Sequence, residues 1–452
     1  MVMAEMRTYQ DLVKVGEGED ARANFILTAI NAHKASTAYR TAEDAAEYYA
    51  HKNPTIMRLQ KFIYDARGQA VPDIYSANNK IPCRYYFYFV TQAVQFLLGN
   101  GVSFGDAETK AKLGRDFDEV MQELATDAMN GGVAFGFWNN DHLERFALTE
   151  FVPLYDEENG ALRAGIRFWQ IARDKPLRCT LYEEDGYTEY IRREGKPMEV
   201  YQEKRSYVQI VEQSEATGTR IYDGGNYPSF PIVPLYNICR QSELVGGKNT
   251  LDAYDLMASQ LVNNVDDGNF IYWILKNYGG MSTADMQKFI QQITVTHVAN
   301  IDSDEGGDVE AHQIEAPYEA SVAGLERLRA QLFDDFMALD TRNIASGAVT
   351  ATQITAAYEP LNAKTDMFEA NVTRFINALL RLLGIDDKPT YTRSKMINKA
   401  EEIQSLMQAA TALPEEYVTR KILEYEGDID KAEDVLKMMS ANEANAFGGD
   451  DE

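Results

Sequence analysis

A change of period limits the fold more than any other feature of this chain. From residue 131 to about 236 the apolar residues sit in short segments: VAFGFW, FALTEFVPLYD, IRFWQIA, RCTLYEE, TEYIRRE and SYVQIVEQ. Each is rich in β-branched or aromatic residues. Turn signals separate them at Asn139-Asn140-Asp141, Glu158-Asn159-Gly160, Glu184-Asp185-Gly186, Glu194-Gly195-Lys196 and Asp223-Gly224-Gly225-Asn226. Such spacing predicts a β-rich meander. FPIVPLYN closes it, and Pro231 and Pro234 restrict that segment to an edge or irregular strand. Helical patterns flank the meander on both sides, so the fold class is α+β. At 452 residues, two or more subdomains are expected.

The most apolar run lies in Asn78–Phe104, NNKIPCRYYFYFVTQAVQFLLGNGVSF. A membrane-spanning helix needs about 20 mostly apolar residues, and Thr91, Gln92 and Gln95 interrupt this run before Gly99. Phe87, Val90, Val94 and Leu97 share one helical face. Pro82 suits a first turn and Gly99 a left-handed exit. An amphipathic helix feeding a strand at Val102–Phe104 is therefore expected.

Further helices follow from the same periodicity. Thr41 offers an N-cap to TAEDAAEYYAHKNP, which Asn53-Pro54 breaks. Residues 108–130 form a second pattern, ended by Gly131-Gly132. After residue 250, helices are expected at 251–266, 317–340 and 351–383, the last with Pro360 inside, where a kink is expected. FIYWILKNYGG is a short apolar run, and residues 283–300 read as a shorter helix and strand. Residues 395–440 read as a helical pair with a start at Pro414-Glu415-Glu416. The last twelve residues, 441–452, read as a disordered acidic tail.

The balance of 70 acidic against 44 basic residues, net −26, excludes a conventional nucleic-acid binder that clusters Lys and Arg on phosphates. MVMAEMRTYQDLVK has no apolar core for a signal peptide. Cys83, Cys179 and Cys239 are far apart and read as reduced structural thiols.

No motif carries catalysis. SELVGGKNT (242–250) contains Gly-Gly-Lys but lacks the glycine five residues before Gly247, and Asn249 stands where a phosphate loop needs a hydroxyl. His33, His51, His142, His297 and His312 have no ligand spacing. The acidic loop with Asp302, Asp304, Glu305 and Asp308 lacks the glycine register of a calcium loop, and Gln313 replaces the bidentate glutamate. No metal or cofactor is implied, and no enzyme. Tyr48-Tyr49 and Tyr85-Tyr86 read as core aromatics.

The order of elements, together with specific residues, resembles the portal proteins of tailed bacteriophages, in particular the siphovirus-type branch. The residues that carry the likeness are Glu47-Tyr48-Tyr49 with Asn53; Asn79-Lys80-Ile81 through Leu98-Gly99 and Gly101-Val102; Gly132-Val133-Ala134-Phe135; Pro153-Leu154-Tyr155-Asp156; Phe230–Pro234; Asp252-Ala253-Tyr254-Asp255 with Ser259 and Asn263; and Ala345-Ser346-Gly347-Ala348. They span about 350 residues in one order. One departure is Thr350-Ala351-Thr352, where the family pattern leads one to expect a longer or basic residue.

The resemblance implies a wing at 1–250, a stem helix at 251–266, a clip at 267–316, a returning stem helix at 317–342, a tunnel loop at 343–350, a kinked wing–stem helix at 351–390 and a short crown at 391–440. It implies a dodecameric ring at one capsid vertex of the virion, assembled in the host cytoplasm. Double-stranded DNA would pass through it without sequence specificity. Terminase, a head-completion adaptor, and the major capsid and scaffolding proteins are the implied partners; a membrane is not. Asn343, Ser346, Gly347, Val349 and Thr350 would face the channel. Asp302, Asp304, Glu305 and Asp308 would dock a partner at the clip. The stretch around residues 78–104 would belong to an inter-subunit surface. The competing readings are another head or neck structural protein, a carboxylate-based hydrolase and a generic α+β scaffold.

Overall fold

The computed structural model describes residues 6–64, 68–73, 76–214, 218–267, 271–276, 282, 308–313, 318–342, 351–394 and parts of 406–439. Helices α1 (Tyr9–Val15), α2 (Glu19–Ala35), α3 (Thr37–Tyr49) and α4 (Pro54–Met57) open the chain. A small hairpin follows, of β1 (Phe62–Tyr64) and β2 (Ala70–Pro72). Then come α5 (Tyr85–Leu98), β3 (Val102–Phe104), α6 (Ala107–Lys112) and α7 (Phe117–Gly131). Thr41 is interior to α3. Ser36 caps that helix instead, accepting the Tyr39 N–H at 3.2 Å, because α2 ends one residue earlier.

The meander is present. Strands β6 (Phe151–Tyr155), β7 (Leu162–Trp169), β8 (Leu177–Glu183), β9 (Gly186–Arg192) and β10 (Met198–Arg205) form one antiparallel sheet in sequential order. Alternation lets it be buried on both faces. On β8, Cys179 and Leu181 meet Phe25, Ile26 and Ile30 of α2 in one apolar cluster. Tyr182 points the other way, into a second cluster with Phe137, Phe146 and Phe151. Strands β11 (Val208–Ser214) and β12 (Gly218–Gly225) make a separate hairpin. Strand β13 (Ile232–Tyr236) lies at the edge of a three-stranded sheet beside β4 (Val133–Asn139) and β5 (His142–Ala147). Its Pro234, which has no N–H to donate, is compatible with that edge position.

The second half returns to helix. Helix α8 covers Leu244–Asp267; β14 (Ile271–Lys276) and β15 (Asp308–Gln313) pair antiparallel; α9 covers Tyr318–Asp335 and α10 Ala351–Leu382. Strand β16 (Pro389–Tyr391) pairs with β3, and α11 spans Glu415–Glu426.

Helix α8 begins about two turns earlier than the expected 251. Gly246-Gly247 looks like loop sequence, yet both residues are helical. A Cβ on Gly247 would lie 2.1 Å from the Phe336 ring, so this glycine is what lets the two segments approach. Farther along, Gly324 of α9 meets Met257 of α8. The two contacts run in opposite order, so α8 and α9 are antiparallel. Other boundaries also moved. Residues 108–130 split into α6 and α7 around Gly114, whose φ is +90°. Helix α9 stops at Asp335, just before Met337 with φ +49°.

Helix α5 is the centre of the largest core. Tyr86, Phe89, Val90, Val94, Phe96 and Leu97 are all buried. Phe89 stacks on Phe336 at 4.7 Å between centroids and meets Phe333 edge-on at 5.1 Å. Leu361, Phe368, Val372, Phe375 and Leu379 of α10 complete the cluster. These apolar residues of the stretch therefore pack inside their own chain. Gly99 is right-handed (φ −63°), and the left-handed turn falls at Gly101 (φ +75°).

Among the described residues, no helix is long and apolar enough to cross a membrane. The three cysteines are free thiols: Cys179 buried, Cys83 half-buried, Cys239 exposed.

Candidate functional site

Helix α8 carries a polar row at Asp252, Asp255, Ser259, Asn263 and Asp266. Steps of three and four put these residues on one face. Asp255, Ser259 and Asn263 are almost fully buried, so each requires a partner. The partner is the extended segment leading into α5. The Asn79 N–H donates to Asn263 Oδ1 (2.7 Å), the Ile81 N–H to Ser259 Oγ (3.0 Å) and the Cys83 N–H to Asp255 Oδ1 (2.9 Å). Asn79 Nδ2 also donates to Asp266 Oδ2 at 2.7 Å.

The geometry is commensurate. Four residues of helix rise about 6 Å, and two residues of extended chain advance about 6.6 Å. A row of side chains at i, i+4 and i+8 can therefore meet every second N–H of an antiparallel extended segment. Pro82 falls between two donors, where its missing N–H costs nothing. It lies three residues before α5 begins, not in its first turn, because this clasp holds 79–83 extended.

At the upper end the clasp joins α3 and α4. Asn53 Nδ2 donates to Asp252 Oδ1 (3.0 Å) and Asp255 Oδ2 (2.8 Å), while its Oδ1 accepts the N–H groups of Thr55 and Ile56 and caps α4. The Tyr48 hydroxyl reaches Asp252 Oδ1, and Lys248 Nζ reaches Asp252 Oδ2 at 3.0 Å and Thr55 Oγ1 at 2.8 Å. Burial, and the hydrogen bond to Asp252, push the Tyr48 hydroxyl's pKa well up. Burial also raises the Asp255 carboxyl, although donors from Cys83 and Asn53 pull the other way. The Cys83 thiol is pushed up by burial and by Asp255 beside it.

Chemically this is a binding device turned inward. All four oxygens of Asp252 and Asp255 hold donors from the same chain, so neither carboxylate is free to act on a substrate. A second perturbed carboxylate, Asp127, is raised to about 6 by burial against the pull of Arg145. It lines a groove of about 410 Å³ with Glu123, Asn130 and Arg145. There the Arg145 guanidinium bridges Glu123 and Asp127. No group of three metal-ligating side chains occurs among the described residues.

A buried ion pair ties the helices together elsewhere. Lys364 of α10 pairs with Glu243, just before α8, and donates to the Phe336 carbonyl at 2.9 Å, just beyond α9. It is 3% exposed. One cation thus joins three helices.

A family model described as "Phage portal protein, SPP1 Gp6-like" matches residues 29–444. The chain belongs to the SPP1 Gp6-like family of phage portal proteins. The portal protein of Bacillus phage SPP1 is 24% identical over 449 residues, covering 90% of this chain and 86% of that one. The portal protein of Clostridium phage phiCD119 is 25% identical over 442 residues, covering 87% and 90%. Among solved structures, the neck of a native gene transfer agent particle computed with C12 symmetry aligns over 75% of this chain and 89% of that chain, at 12% identity and a TM-score of 0.40. An HK97 family phage portal protein from Corynebacterium diphtheriae aligns over 68% and 89%, at 11% identity and a TM-score of 0.32. Family membership rests on the sequence matches. Portal proteins are structural components of the phage head.

Eight of the clasp residues are among those that carried the likeness: Tyr48, Asn53, Asn79, Ile81, Asp252, Asp255, Ser259 and Asn263. Three motifs scattered over 200 residues are parts of one contact. The other sequence-derived site residues are placed differently. Asn343, Ser346, Gly347, Val349 and Thr350 lie outside the described residues, as do Asp302, Asp304 and Glu305. Asp308 opens β15, opposite Lys276. Pro360 is exposed within α10, and the helix continues across it. The Ala356 carbonyl, left without its Pro360 donor one turn later, also sits on the exposed side.

Proposed function

We propose that this portal protein assembles as a ring of about twelve subunits at one capsid vertex of the virion, and that double-stranded DNA enters and leaves the head through the ring's channel. The observation that carries this reading is the family match over 29–444. In it, residues 1–250 are the wing and 251–266 the stem helix. Residues 267–316 are the clip and 317–342 the returning stem helix. The tunnel loop at 343–350, with Asn343, Ser346, Gly347, Val349 and Thr350, approaches the axis. The helix at 351–390 spans wing and stem, and 391–440 is the crown. Asp302, Asp304, Glu305 and Asp308 present an acidic clip to terminase during packaging and to a head-completion adaptor afterwards. Capsid and scaffolding proteins contact the outside, and assembly takes place in the host cytoplasm.

Physical chemistry supports the channel. Antiparallel α8 and α9 carry the chain out to the β14–β15 pair and back, the shape a stem and clip require. Twelve copies carry a net charge of about −300. An acidic lumen repels phosphate, so duplex slides without adhering. Small residues at 345–348 let twelve loops converge.

Negative-stain imaging and native mass spectrometry of the purified chain, with salt varied, test the reading. Annuli of about a dozen subunits that become more abundant from low to moderate salt are expected, because screening weakens repulsion between like-charged subunits. Monomers or dimers at every salt concentration would contradict it.

A further inference from the structure

The β1–β2 hairpin is unfinished within one chain. Among the described residues it forms a two-stranded sheet with no third strand. Such a hairpin is marginal in water without packing against something else. Yet Phe62 is 56% and Ile63 37% exposed, on opposite faces of β1, and both are absent from all three apolar clusters. Met57 (53%) and Leu59 (42%) beside them extend the exposed apolar surface.

The charge of this region is also out of character. From Tyr48 to Tyr64 there is no acidic residue, while Lys52, Arg58 and Lys61 are basic. From Tyr48 to Gly105 the only acids are Asp65 and Asp73, against Lys52, Arg58, Lys61, Arg67, Lys80 and Arg84. That stretch has a net charge of +4 in a chain of −26, so the remainder has −30. Two copies repel each other over most of their surfaces. An exposed apolar hairpin within a basic stretch is the part of one copy that an acidic copy attracts.

We infer that the β1–β2 hairpin is an arm that docks on an acidic face of a neighbouring copy of this chain, with Phe62 and Ile63 as its apolar anchors and Arg58 as its charged rim, beside Lys61, whose ammonium also donates to the Ala77 carbonyl of its own chain at 2.5 Å. The inference rests on the ring reading and deepens it. An arm on one patch that docks on a different patch is a head-to-tail contact, the type that closes into rings. Anchors of this kind carry most of an interface's energy, and rim charges carry its salt dependence.

The test compares the full-length wild type with two variants, Phe62→Ser/Ile63→Ser and Arg58→Glu/Lys61→Glu, by native mass spectrometry at several salt concentrations. Circular dichroism confirms folding in each case. The apolar variant should need at least about tenfold more protein to half-assemble, at every salt. The charge-reversed variant should show its deficit mainly at low salt and recover as salt rises. A photo-crosslinking residue at position 62 should give chain-to-chain adducts in the assembled fraction, mapping to a segment rich in Asp and Glu. Wild-type-like assembly of both folded variants, or crosslinks at position 62 that stay within one chain or go to added DNA, would overturn the arm while leaving the ring reading standing. Absence of wild-type rings would overturn both.

Discussion

The clasp at 79–83 and the hairpin at 62–72 are neighbours in sequence and opposites in packing. In the clasp, alternate backbone donors from Asn79 to Cys83 meet buried acceptors on α8. In the hairpin, large apolar side chains face solvent on both sides of a short strand. A buried polar row is tolerable only when it is fully paired, because an unpaired buried group costs about 1–3 kcal/mol. An exposed apolar pair needs no internal partner and can wait for an external one. The chain thus fastens residues 79–83 to the long helix and leaves Phe62 and Ile63 of the hairpin open to solvent.

Four substitutions break or sharpen this contrast. Asp255→Ala has the largest expected effect. It removes the acceptor for Cys83 N–H and Asn53 and leaves both donors buried, at a cost of about 3–5 kcal/mol; urea denaturation of the monomer measures it. Asn263→Ala, at the end of the row, should cost about 1 kcal/mol in the same assay.

Asp255→Asn keeps one acceptor and removes the charge, so it reports on pH. Burial holds the Asp255 carboxyl above its ordinary 3.8 in the folded chain. The folded state therefore binds that proton more tightly than the unfolded one. The resulting stability is fully present below 3.8 and is lost as pH rises through the folded value. The stability of wild type relative to Asp255→Asn should grow as pH falls from 7 towards 4; a difference independent of pH would mean that Asp255 is not desolvated. Smallest is the effect of Phe62→Ser on the monomer, expected within about 0.5 kcal/mol. A larger loss would mean that the hairpin is part of the core.

The meander, the helices on either side and the position of most turns were legible in the sequence, because strand and helix periods differ and Gly, Asn and Asp mark the changes. The start of α8 was not. Gly246-Gly247 reads as loop, and the Phe336 ring, far along the chain, explains why a glycine stands in the helix at 247. The first turn of α5 was misplaced for a related reason: Pro82 favours a helix start, but backbone bonds to α8 hold its neighbours extended. The clasp was visible only in fragments. The spacing Asp255, Ser259, Asn263 is helical and the alternation Asn79, Ile81, Cys83 is extended, yet nothing local says that one row fits the other. The pairing is a fact of tertiary geometry, as is the burial of Lys364 against Glu243.

Hydrogen–deuterium exchange on monomeric and assembled fractions of the wild-type chain tests the contrast most directly. The amides of Asn79, Ile81 and Cys83 should be protected in both fractions, and those of 62–72 should become protected only on assembly. Equal exchange of the hairpin in both fractions, or a clasp that gains its protection only in the ring, would contradict the account.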